Sequence, residues 1–92
     1  MISLDDIEDM TSLTRSEIDA LAEHDHTDIL HAALEGDYAL HHHGGAQQVQ
    51  QKICEDIRDA LHRDDLPHAR VLMATLRHFM AAHPEAARGA QP

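Results

Sequence analysis

The sequence has almost no aromatic residues: no tryptophan, one tyrosine and one phenylalanine among 92 positions. Valine is as scarce, with two copies, so a β-sandwich or barrel would have little to pack its strands with. A single cysteine, Cys54, excludes an internal disulfide and any zinc site built from several cysteines of one chain. No apolar run approaches the ~20 residues of a membrane span, and the acidic beginning differs from the basic start of a signal peptide. Cytoplasmic residence with no membrane partner is the expectation. Basic residues are also few, 7 Lys+Arg against 17 Asp+Glu, for a formal charge of −10 with histidine neutral. Phosphates need a continuous basic footprint and none is visible, so no nucleic-acid partner is expected.

What is there is leucine, alanine and histidine. Ten leucines, 14 alanines and 4 methionines favour helix. A chain this short has a thin core that gains from a second subunit, which makes a homodimer the natural expectation. Ten histidines equal the excess of acids over bases, so full protonation would bring the formal charge to zero. Histidine alone among unperturbed side chains changes charge between pH 5 and 8. The two halves of the chain differ, however. Residues 1–44 hold eleven acids and one base, Arg15, whereas residues 45–92 hold six of each. Protonation would take the first half from −10 to −4 and the second from zero to +4, a pH-dependent dipole.

Capping signals divide the chain into helices. Ser3 with Asp6 predicts a short capped turn through Met10. Thr14-Arg15-Ser16-Glu17 is a capping box that opens a first main helix over 15–25, with Ile18, Leu21 and Ala22 on its core face. Thr27 is the expected cap of a second helix over 28–42, which contains Gly36 at a cost of roughly 1 kcal/mol. Gly44-Gly45 breaks the chain. A third helix over 46–63 carries Val49, Ile53, Ile57, Ala60 and Leu61 on one face. Pro67 suits the first turn of a fourth helix over 67–83, with Ala69, Leu72, Met73, Leu76, Phe79 and Met80 facing inward. Val71 and Thr75 widen that stripe, as expected of a central helix or of one at a dimer interface. The fold class is all-α: a small four-helix antiparallel bundle with a short N-terminal helical turn. It forms one helical domain over residues 1–86, with a flexible tail at 87–92.

Up-down topology gathers His24, His26, His31, His62 and His68 at one end, among several carboxylates. Neutral imidazole is the commonest metal ligand, so these five are the candidate ligands for a divalent transition metal such as zinc, nickel or iron. A buried di-iron centre is disfavoured, because Glu55, Asp59 and His62 share a face opposite the inward-pointing Ile57. Asp37 and His41, spaced i, i+4, form either a partly buried acid–imidazole pair or a solvated one after the Gly36 interruption. His83 falls where a C-terminal helix cap is favoured. Cys54 flanks a core stripe, where cysteine is usually inert packing. Ser3, Ser12 and Ser16 lie near helix starts, where capping explains them. A helix-turn-helix over 14–43 would offer a second helix without Lys or Arg, unsuited to phosphates.

The stretch Leu13–His26, with Gly36-Asp37-Tyr38, Leu76-Arg77-His78-Phe79 and the stop at His83-Pro84, resembles a family of small all-α proteobacterial proteins of no known activity. The resemblance covers most of residues 1–86 and departs at His41-His42-His43. It implies a helical fold and carries no catalytic residue across.

No acid, base and nucleophile stand at a defined spacing, so catalysis is not expected. The expected role is a non-catalytic interaction protein that self-associates through the fourth main helix and offers its acidic half to a basic protein partner. Metal binding by the histidines and a pH-responsive helical module are the alternatives.

Overall fold

The computed structural model describes residues 3–87. These form α1 (Leu4–Met10), α2 (Arg15–Asp25), α3 (Ile29–Leu40), α4 (Gly45–His62), α5 (Leu66–Ala82) and a 3-10 turn (Pro84–Ala86), with no strand among the described residues. The fold is all-α, as the composition requires. Of the expected tail, residues 88–92 lie outside the described residues. No helix among the described residues is long and apolar enough to cross a membrane.

Each early helix begins where its cap places it. Asp6 N–H donates to the Ser3 hydroxyl at 3.1 Å while the Asp6 carboxylate accepts the Ser3 N–H at 3.0 Å. Thr14 and Glu17 make the same reciprocal pair at 3.3 and 2.9 Å, so orphan amides are satisfied at both starts. Thr27 is not the cap of α3. His26 closes α2 in the left-handed region, φ 55, and the Thr27 N–H is spent on the Ala22 carbonyl at 3.1 Å. The chain therefore enters α3 one residue later, and Asp28 accepts the His31 N–H at 2.8 Å. The Thr27 hydroxyl is left buried without a partner.

At its other end α3 stops at Leu40 rather than at residue 42. Imidazole N–H groups of His41 and His42 donate to the Asp37 and Tyr38 carbonyls at 2.7 and 2.6 Å, competing for the acceptors of the last turn. Gly44 then takes φ +77, and a Cβ on Gly45 would stand 1.5 Å from the Ala39 carbonyl oxygen. Only glycine allows α4 to start this close to the end of α3. Gly36 has a different reason. A Cβ there would lie 2.7 Å from Cδ1 of both Leu13 and Leu21, so the missing side chain is what lets α3 settle onto α2.

The hub of the core is α4, which packs on α2, α3, α5 and the 3-10 turn. Its Val49, Ile53 and Ala60 are buried against Ile18, Leu21, Leu72 and Phe79 in one cluster. Full burial of a side chain such as Ile53 or Phe79 contributes roughly 1.5–3 kcal/mol. The fourth main helix, α5, is thus not the central one. It packs on α2, α4 and the 3-10 turn, and its Val71 and Met73 are exposed; so is Leu61 of α4. The apolar period marks a face but does not say whether anything covers it.

Antiparallel order holds where contacts allow it to be read. Ser16 lines a depression with Thr75, and Glu23 pairs with His68, so α2 and α5 run in opposite directions. The bundle is flattened: α2 and α4 pack together across its middle, and α3 and α5 form no substantial packed pair. The chain measures 37 × 36 × 19 Å, with α3 and α5 on its two flanks.

Candidate functional site

Three helices meet around one buried acid. Val49, Ile53, Asp56 and Ala60 follow the i, i+4, i+7, i+11 period that turns α4 inward, and Asp56 is buried with them at 2% exposure. Its Oδ2 has no hydrogen-bond partner. Burial, reinforced by the charges of Glu23 and Asp59 and opposed by those of His24 and His68, pushes the Asp56 carboxyl up to about 6. These groups come from the last turns of α2, from α4 itself and from the first turn of α5. An unpartnered buried carboxylate is costly when charged, and protonation relieves that cost.

Around Asp56 runs a chain of ionic hydrogen bonds. Lys52 Nζ donates to Asp25 Oδ2 at 2.9 Å. The His24 ring bridges two carboxylates, Nδ1 to Asp25 Oδ1 at 2.9 Å and Nε2 to Glu55 Oε2 at 2.7 Å. Only the imidazolium donates from both nitrogens. Partial burial disfavours that charge, but the bonds to Asp25 and Glu55 and the charges of Asp56 and Asp25 outweigh it and raise His24 above its ordinary value. Burial pushes Asp25 up, and the bonds to His24 and Lys52 more than reverse this; the bond to His24 likewise holds Glu55 low. Beside this chain, His68 Nε2 donates to Glu23 Oε1 at 2.6 Å and ties α5 to α2. Burial of Asp56 and the two carboxylates on His24 thus both favour the protonated form of the group concerned.

The five histidines proposed as ligands do not gather. His24 and His68 reach this junction but engage different carboxylates. His31 turns outward along α3 to Glu35 Oε1 at 2.8 Å, His26 caps α2, and His26 and His62 are exposed. Among the described residues no three His, Cys, Asp or Glu side chains are grouped to hold a metal ion. The imidazoles that could converge are each engaged by a carboxylate instead. Asp37 and His41 adopt the solvated arrangement, with 3.9 Å between ring and carboxylate and the ring exposed. His83 caps α5 with its ring tilted on Phe79. The residue missed from sequence is Asp56. Its signal was an acid standing in the apolar period of α4.

The outer flanks carry the remaining unusual features. On α3, Leu30, Leu34 and Tyr38, spaced i, i+4, i+8, point outward, and Tyr38 is 67% exposed. Asp28, Glu35 and Asp37 border this line, and α3 holds no Lys or Arg. The acidic α1 packs beside it. On α5, Leu66, Arg70, Met73 and Arg77 share an exposed face at i, i+4, i+7, i+11, with Leu66 52% exposed. Compared with known proteins, the chain matches no family, no curated protein and no solved structure.

Proposed function

We propose that the chain is a non-catalytic helical interaction module that self-associates through α5. The observation that carries this reading is the outward placement of Leu66 and Met73 on a helix whose opposite face is already packed. Large apolar side chains aligned on an exposed helix face mark contact surfaces. A cytoplasmic setting belongs to the proposal, since Cys54 is a free thiol and such thiols persist in reducing compartments. Sedimentation velocity over a wide concentration range tests it. The expected result is concentration-dependent association that Met73→Asp weakens at least tenfold. A wild-type chain that stays monomeric at every concentration removes the reading.

A second reading, a pH-responsive module, is favoured by the buried Asp56. Its folded value, about 6, stands above the ordinary 3.8, so the stabilisation from its protonation is complete below 3.8 and is lost as pH rises through about 6. His24 is also raised, and its contribution is complete below 6.5 and is lost at higher pH as the folded group titrates. Asp25 and Glu55 act oppositely, but their contributions fade only as pH falls below ordinary carboxylate values. The melting temperature should therefore fall as pH rises from 5 to 8. A flat profile over that range rejects this second reading.

A further inference from the structure

We infer that what α5 meets is α3 of a second copy, so that chains associate head to tail through an acidic face on α3 and a basic face on α5. The inference rests on the self-association reading and goes beyond it by naming the opposing surface. Both faces have the same spacing. Leu30, Leu34 and Asp37 stand at i, i+4, i+7 on α3, with His41 as the cap just beyond it, and Leu66, Arg70, Met73 and Arg77 stand at i, i+4, i+7, i+11 on α5. Laid antiparallel in this spacing, the faces set Leu34 against Met73 and Asp37 against Arg70, an apolar contact beside an opposite-charge one. The apolar members are exposed on both helices, and Arg70 and Arg77 make no ion pair among the described residues.

Charge decides between the possible pairings. A symmetric α5–α5 contact sets Arg70 and Arg77 against their own copies. A symmetric α3–α3 contact sets Glu35 and Asp37 against theirs, within halves that each carry −10. Like charges brought together at an interface oppose it and select against that arrangement. The α3–α5 contact is the one that pairs opposite signs. It also brings the acidic half of one chain against the balanced half of the next. One molecule does not close this contact on itself, because α3 and α5 lie on opposite flanks of the α2–α4 layer. The contact is therefore heterologous, and it propagates into a ring or a string rather than ending at a pair.

Two substitutions on exposed positions test this by complementation. Leu34→Asp adds an acid to the α3 face and Met73→Lys adds a base to the α5 face, so neither creates a new complementary surface. Far-ultraviolet circular dichroism and thermal melting establish that both variants keep the wild-type fold. In sedimentation velocity, the wild type grows beyond a dimer with concentration, and each variant alone associates at least tenfold more weakly. An equimolar mixture joins the intact α5 of the first variant to the intact α3 of the second, and stops at a one-to-one pair. If Met73→Lys abolishes association while Leu34→Asp leaves a wild-type dimer, the symmetric α5 contact is correct and the head-to-tail inference falls alone. A variant mixture that stays monomeric also overturns it. A wild-type chain monomeric at all concentrations removes both this inference and the reading beneath it.

Discussion

Glu17 at the start of α2 and Asp56 in the middle of α4 are buried almost equally, at 1% and 2% exposure, yet their surroundings are opposite. Glu17 accepts the Thr14 N–H at 2.9 Å, in the first turn, where backbone amides have no intrahelical acceptor and the helix dipole favours negative charge. Asp56 sits mid-helix, where the amides around it are committed to carbonyls one turn back, and its Oδ2 finds no partner. Depth of burial is the same. The difference lies in what the backbone has left to offer at each place. A carboxylate in a first turn completes the helix, whereas one on the inner stripe opposes it until it takes up a proton.

Breaking the favourable side of this contrast should have the largest effect. Glu17→Ala removes the reciprocal cap and leaves a small void, and should cost about 2–3 kcal/mol in urea unfolding at neutral pH. A loss below half a kilocalorie would mean that the cap is not needed to hold α2. The other side should respond with the opposite sign. Asp56→Asn keeps the shape and removes the charge, and should stabilise the fold by about 1–2 kcal/mol at pH 7 to 8, discounted from the full shift for solvent screening. The gain should vanish toward pH 4, where the native carboxyl is protonated, and the variant's melting temperature should vary less between pH 5 and 7. Destabilisation at pH 8 would show that Asp56 is not opposing the fold. The smallest effect belongs to the rim of the same junction. Lys52→Gln releases Asp25 from a partly exposed pair and should cost about 0.5 kcal/mol, less in high salt. A salt-independent loss would point to packing of the lysine stem instead of its charge.

The helices were legible in the sequence because their signals are local. Two capping boxes, Pro67 in the first turn of α5 and the glycine pair at 44–45 fix starts and stops within a few residues of themselves. What was hidden depends on residues far along the chain. Thr27 and Asp28 are both good caps, and how α2 closes at His26 selects between them. Gly36 reads as a weak point until Leu13 and Leu21 are seen filling the space of its missing side chain. The count of histidines is visible, but whether an imidazole meets other imidazoles or a carboxylate depends on the packing of α2, α4 and α5. Position 56 could have been found by applying the period of α4 to every residue rather than to its apolar ones alone.

Tyr38 is placed where it can be watched directly. It stands on the outer line of α3 with its ring stacked 3.9 Å from that of His42. With no tryptophan and no second tyrosine in the chain, it is the only strong ultraviolet fluorophore the protein owns. Its emission therefore reports one place, the surface of α3, without an introduced dye. Protonation of the neighbouring imidazole and coverage of the ring by another molecule should alter that signal in distinguishable ways, by intensity in the first case and by polarisation in the second. The molecule carries its own optical probe on the flank where contact is expected.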